Sequence, residues 1–277
     1  LYVNDSAGRL HVLDLDGKQV IAQLQAGRGR QMVLDEAGQR LYVPVEEGGQ
    51  EIAVVDTAAM ALKGVVTGGD RIAVDNVHGR LFVGFAPPLW SPIKGEVRVL
   101  DASTLAPLHA IPRAGLPAYN PERDEIYITD YTVYMYDGRN YKELGELTPD
   151  IGGQTLRGCN GCLQARGVYV FPERGLLLAD VTVIAAGAGA GIYPSPRAFS
   201  LKSREPLTYP ASAFFTCGGK LELQQPIEGV FYTTASYARY VFYQNLVARQ
   251  AGSGEVLRWR DGINAELVVP GSGVIYC

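Results

Sequence analysis

Short apolar runs recur along the chain, and Gly, Asp, Asn or Pro interrupts each of them. Leu41-Tyr42-Val43, Ile52-Ala53-Val54-Val55, Leu81-Phe82-Val83 and Val97-Arg98-Val99-Leu100 are too short for helices and rich in β-branched and aromatic residues, which predicts strands joined by tight turns. Helical periodicity is nearly absent.

The runs also repeat. Leu34-Asp35-Glu36-Ala37-Gly38-Gln39-Arg40-Leu41-Tyr42-Val43 returns as Val74-Asp75-Asn76-Val77-His78-Gly79-Arg80-Leu81-Phe82-Val83, and more loosely from Tyr119 to Ile128 and from Val170 to Leu178. A second run ending in Asp follows the first three of these: Ile52 to Asp56, Val97 to Asp101 and Val133 to Asp137. Leu10 to Asp14 is its N-terminal counterpart. A unit of about 40 residues with four short strands is the size of one β-propeller blade.

Counted outward from a central channel, Arg30 to Asp35 is a first strand, Leu41 to Val45 a second, Ile52 to Asp56 a third and Ala61 to Val66 a fourth. The chain then starts in a second strand at Leu1. Gly254 to Asp261 resembles Gly95 to Asp101 and reads as a third strand, Ala265 to Val269 as a fourth, and Gly273 to Cys277 as the next first. The expected fold is all-β: one propeller over residues 1–277, with six blades of four antiparallel strands and seven blades as the alternative. Pairing of Val274 to Cys277 with Leu1 to Asn4 would close the ring and remove an exposed edge. The repeat stretches in the C-terminal half, so an irregular insertion is expected around 206–251, with an extra hairpin through Phe231 to Gln244.

These units resemble the YVTN family of propeller repeats, most closely at Leu1-Tyr2-Val3-Asn4, Leu41-Tyr42-Val43, Val54-Val55-Asp56-Thr57 and Gly68-Gly69-Asp70. The resemblance is clear over residues 1–145 and poor beyond them, above all from Pro206 to Ala251. It implies an exported bacterial or archaeal protein, and related propellers serve as subunits of amine dehydrogenases. Architecture is implied far more strongly than activity.

Composition narrows the partners. Hydrophobic residues are 47% of the 277 and charged ones 19%, which is ample for a core. With 25 basic and 29 acidic residues interspersed, for a net charge of −4, there is no broad basic surface for nucleic acid. The longest apolar run, Val181 to Ile192, is broken by glycines and is too short for a membrane span. Residue 1 is Leu, without an initiator Met or a leader pattern, as in a processed mature protein or a fragment. Four cysteines suit one or two bridges in an oxidising compartment, so an extracytoplasmic location is expected: periplasm, cell surface or secreted.

Candidate chemistry is sparse. Cys159-Asn160-Gly161-Cys162 lacks the His after the second Cys that covalent haem needs, since Leu163 stands there, and lacks the further ligands of a zinc site. Cys159, Cys162, Cys217 and Cys277 are disulfide candidates, their connectivity open. His11, His78 and His109 fall at unrelated positions and form no catalytic set. Asp14-Leu15-Asp16-Gly17 reads as a turn rather than a calcium loop. Gly187-Ala188-Gly189-Ala190-Gly191 precedes Pro194 and Pro196, so no helix follows it to hold a phosphate.

Two constellations remain. Arg28, Arg30, Arg71, Arg113 and Arg166 all precede second strands by a similar offset and could ring one channel mouth as an anion site, against the plainer account of loop charges paired with acidic neighbours. Tyrosines cluster at Tyr127, Tyr131, Tyr134 and Tyr136, where blade packing accounts for them as well as contacts do. They cluster again at Tyr232, Tyr237, Tyr240 and Tyr243, which suit an interaction surface. The expectation is a noncatalytic exported propeller, without cofactor or metal, that binds other protein subunits. The alternative is the large subunit of an amine-dehydrogenase-type complex or a small-molecule enzyme using the channel.

Overall fold

The computed structural model describes residues 2–147 apart from 15, 29–31, 47–48, 70, 86–94 and 130–131. Further on it describes 162–172, 175–185, 191–194, 197–207, 221–223, 230–236, 244–250, 256–260, 267–268 and 275–276, with side chains only at 168–170, 172, 175–177, 179 and 199–206. Every named element among these residues is a strand. The chain divides into two compact units, Leu1–Asp130 with Tyr134–Gly145, and Tyr131–Val133 with Glu146–Cys277.

The N-terminal unit is a series of meanders. β1 (Tyr2–Asn4), β2 (Arg9–Asp14) and β3 (Gln19–Gln25) form the first sheet. The second is β4 (Val33–Asp35), β5 (Arg40–Pro44), β6 (Glu51–Asp56) and β7 (Ala61–Thr67). β8 (Arg71–Asp75), β9 (Arg80–Gly84), β10 (Val97–Asp101) and β11 (Pro107–Ile111) make the third, and β12 (Leu116–Asn120), β13 (Glu125–Thr129), β14 (Val133–Asp137) and β15 (Glu143–Leu147) the fourth. Each sheet is ordered as in the chain, as expected for blades.

Burial falls across each sheet. Every residue of β5, β9 and β13 is buried, whereas β3, β7, β11 and β15 are mostly exposed. Second strands are covered on both faces because successive sheets stack on one another. Leu10, Leu41, Val43 and Val55 join the first sheet to the second, and Tyr42, Val54, Leu81 and Leu100 join the second to the third. Phe82, Val99, Tyr119 and Ile126 join the third to the fourth. None of these sheets has two buried faces of its own to make a core, so stacking is what stabilises them.

Two local devices recur. Asp35, Asp75 and Asn120 end first strands, and Asp14, Asp56, Asp101 and Asp137 end third strands. Each side chain accepts backbone N–H groups of the turn that follows. Four residues after each comes a left-handed residue: Gln39, Gly79 and Asp124 in the first kind of turn, Lys18, Met60, Leu105 and Tyr141 in the second. The two turns of a sheet are tied together, as Ala102 N–H to Gly79 C=O at 2.8 Å and Gly138 N–H to Asp124 C=O at 2.7 Å show. The other device is a bulge in the fourth strand, where Ile21, Lys63 and Leu108 are the extra residues opposite β2, β6 and β10.

In the C-terminal unit, β16 (Cys162–Phe171), β17 (Leu176–Ala185), β19 (Arg197–Ser200) and β20 (Pro206–Leu207) form a sheet, with β18 (Gly191–Pro194) also paired to β17. β21 (Leu221–Leu223), β22 (Val230–Ser236), β23 (Gln244–Gln250) and β24 (Val256–Arg260) form another four-stranded sheet. This corrects the strand numbering expected from sequence: Val256–Arg260 is the fourth strand of its sheet, not the third. The bulge confirms it, because Leu257 is the extra residue between Ala248 and Arg249 pairings, as in the other fourth strands. The hairpin of Phe231 to Gln244 therefore supplies this sheet's middle strands.

β25 (Leu267–Val268) pairs with β26 (Ile275–Tyr276), and Leu1, Val274 and Cys277 of the expected closing pair lie outside the described residues.

Candidate functional site

The end of the sheets that carries both turns holds a buried polar cluster. Asp75 closes β8 and opens the turn, Arg80 opens β9, and Asp124 is the left-handed residue of the corresponding turn in the next sheet. Arg80 Nε donates to Asp75 Oδ2 at 2.6 Å, and Arg80 Nη2 to Asp124 Oδ1 at 2.7 Å. Arg80 Nη1 donates to the Gly138 carbonyl. The Tyr119 hydroxyl donates to Asp124 Oδ1 at 3.0 Å.

Rings enclose the same guanidinium. Arg80 lies over Phe82, Tyr119 and Tyr141 at 5.6, 5.7 and 6.0 Å from their centroids, within cation–π range. Tyr141 in turn stacks on His109 at 4.4 Å. His78 Nδ1 lies 2.9 Å from Asp75 Oδ2 and 3.1 Å from Arg80 Nη2, and the ring is otherwise half-exposed.

The charges follow from these contacts. Burial pushes the Asp75 carboxyl upward, but the His78 amide, the Arg80 guanidinium and the His78 ring outweigh it and hold the group below the ordinary carboxylate value. Burial, with the charges of Asp75 and Asp124 and the bond to Asp124, raises the Tyr119 phenol above its ordinary value. Arg80 is held fully charged: the bonds from Asp124, Tyr141 and Asp75 overcome its desolvation.

Asp75, His78 and Asp124 place three ligand-type atoms within 4.8 Å of one another, the donor set of a small metal site. Arg80 decides against a metal there, because its nitrogens already bond both carboxylates and a divalent cation would have to displace the guanidinium. The cluster is an ionic clamp between the third and fourth sheets. The sequence pattern placed His78 in no constellation with Asp75 or Asp124. The available signal was that Asp75 and Arg80 occupy the places of Asp35 and Arg40 in the repeat.

Of the arginines expected as an anion ring, Arg28 and Arg113 have acidic partners. Arg28 pairs with Glu46 at 2.7 Å, both more than half exposed. Arg113 Nε donates to the Tyr136 hydroxyl at 2.8 Å, its Nη2 reaches Glu143 at 3.3 Å, and its guanidinium covers the Tyr134 ring. Both fit the plainer account of paired loop charges. Arg71 begins β8 and Arg166 lies on β16, its side chain not described; Arg30 lies outside the described residues. Tyr127 is buried, Tyr136 is buried in the cluster between the third and fourth sheets, and Tyr134 lies against that cluster. Tyr232 is on β22 and Cys162 on β16, both known in backbone only; Tyr131, Tyr237, Tyr240, Tyr243, Cys159, Cys217 and Cys277 lie outside the described residues. No helix among the described residues is long and apolar enough to cross a membrane.

No family model and no curated protein sequence matches the chain. Solved structures do. Dihydro-heme d1 dehydrogenase NirN, in complex with DHE, superposes with a TM-score of 0.55 at 14% identity over 95% of this chain. The chain spans 63% of the length of that protein. BamB from Moraxella catarrhalis superposes with a TM-score of 0.53 at 11% identity, over 94% of this chain and 75% of that one. Both are β-propeller proteins, and at such identities the likeness shows fold alone. Together with the four-stranded meanders, it establishes a fold of the β-propeller type.

Proposed function

We propose that this protein is a noncatalytic, exported β-propeller of the YVTN kind, six blades in a single ring, that serves as a protein-interaction platform in an envelope or surface assembly. One observation carries this reading. The outer strands expose apolar side chains: Val20 and Ile21 on β3, Leu62 and Val65 on β7, Leu108 on β11 and Leu144 on β15, at 42–59% exposure. They lie beside free strand edges among the described residues, and such edges take either a partner's strand or its apolar side chains.

The likeness to BamB supports an envelope setting, and the Arg80 clamp supports a rigid scaffold rather than a reaction centre. Tyr232, Tyr237, Tyr240 and Tyr243 belong to the proposed contact surface as well. The test is site-directed photocrosslinking in the native cells, with the reactive residue at Ile21, Leu108 or, as a control, exposed Asp16. Discrete adducts to one partner from Ile21 and Leu108 alone are expected. A monodisperse monomer without adducts at either position defeats the reading.

The likeness to a dehydrogenase in complex with its ligand favours one second reading, a subunit of a redox enzyme that uses the channel. Its distinguishing result is saturable binding of a substrate or cofactor to the purified chain without any protein partner.

A further inference from the structure

The four outer strands of the N-terminal unit occupy the same place in their sheets, and among the described residues none has a neighbour on its outer side. Such an edge invites strand addition unless charge, Pro, a short length or a bulge prevents it. β7 carries Lys63 and Gly64, and Arg98 of the next sheet donates to its last carbonyl, that of Thr67. β11 begins with Pro107 and has five residues, and β15 holds Glu143 and Glu146 in five.

β3 differs in composition from all three. Its seven residues, Gln19 to Gln25, include no charge, no Pro and no Gly. The bulge at Ile21 interrupts its first half only, since Ala22, Gln23, Leu24 and Gln25 pair with Val12, His11, Leu10 and Arg9 without a break. The exposed Gln23 and Gln25 amides bond within their own sheet, to His11 Nδ1 and the Ala7 carbonyl at 3.1 Å. Charges that flank the strand are balanced. Asp16 and Lys18 stand in the turn before it, Arg9 bonds Asp5 beside its end, and Arg28 beyond its end bonds Glu46.

We propose that β3 pairs antiparallel with β3 of a second copy of this chain, about a two-fold axis between Gln23 and Leu24. A two-fold contact sets the same patch of both copies face to face, so a charged strand meets its own sign and an uncharged one does not. That condition separates β3 from β7 and β15, and Pro107 removes a ladder donor from β11. Val20 and Ile21, about half exposed, gain cover beside the second chain. Each copy has one such edge to give, so the pairing closes at two chains. The proposal rests on the reading of the outer strands as contact surfaces and names the occupant of one of them; crosslinks from Ile21 then include a homodimer beside any adduct shared with Leu108.

Sedimentation equilibrium of the full chain over a wide concentration range tests it, with Gln23→Lys, Gln23→Glu and their equimolar mixture alongside. A weak dimer is expected, because a short strand pair is a small interface. Each variant alone is expected to weaken it about fivefold, since like charges then meet across the axis, and the mixture to restore it as a heterodimer. A parent that stays monomeric at every concentration overturns the proposal. So does a dimer indifferent to both charges, a mixture no tighter than either variant, or association that continues beyond two chains. Photocrosslinking from Leu108 keeps the two readings apart. Adducts there to another subunit, with a monomeric parent, sink the β3 pairing alone; a charge-sensitive dimer with no partner at Leu108 sinks the interaction platform and keeps the pairing.

Discussion

Arg80 of the third sheet and Asp124 of the fourth meet at 2.7 Å with both side chains at or below 10% exposure. Residues 44 apart in the chain thereby fasten one sheet to the next, in a place where water screens little. The same arginine holds Asp75 on its own sheet and the Gly138 carbonyl on the next, so one side chain serves three acceptors.

Removal of that arginine should be severe. Arg80→Ala leaves Asp75 and Asp124 buried without their counter-charge and is expected to cost about 3–5 kcal/mol in urea unfolding. Arg28→Ala, which breaks only the exposed pair with Glu46, should stay within about 1 kcal/mol of the parent. Similar losses for the two would show that the clamp is not what holds these sheets.

The interface also rests on rings. Phe82→Ala removes a completely buried side chain from between the third and fourth sheets and is expected to cost about 3–5 kcal/mol. Because Phe82 lies under Arg80, a double-mutant cycle between them should give a coupling above about 0.5 kcal/mol.

Asp75 predicts an acid limb. Its carboxyl is depressed in the folded protein, so folding takes up no proton there and the stabilisation is complete above the unfolded value of about 3.9. It is lost as pH falls from that value through the lower folded one. Asp75→Asn should flatten urea midpoints measured across this window. A slope equal to the parent's would assign the acid limb to other carboxylates.

The repeated left-handed turn position separates backbone strain from packing. Lys18, at φ 49°, is exposed, and Lys18→Gly should stabilise by about 0.5–1 kcal/mol. Tyr141, at φ 59°, stacks on His109 and lies by Arg80, so Tyr141→Gly should destabilise in the same thermal unfolding assay.

Strands and turns were legible from residues such as Leu41-Tyr42-Val43 and Asp56-Thr57, because alternation along a strand and side-chain bonds to the next turn are decided within a few residues. The repeat of those signals was enough for an all-β fold of stacked sheets. It was not enough for the position of Val256–Arg260 within its sheet, because Val256 to Asp261 carries the Asp-ended pattern of a third strand and only the pairing makes it a fourth. Nor did it disclose the clamp: Arg80 and Asp124 belong to different repeats, and what brings them together is the packing of one sheet's face on another's. Local propensity writes itself into contiguous residues, whereas the burial that turns a surface arginine into a buried ionic link exists only once the sheets have stacked.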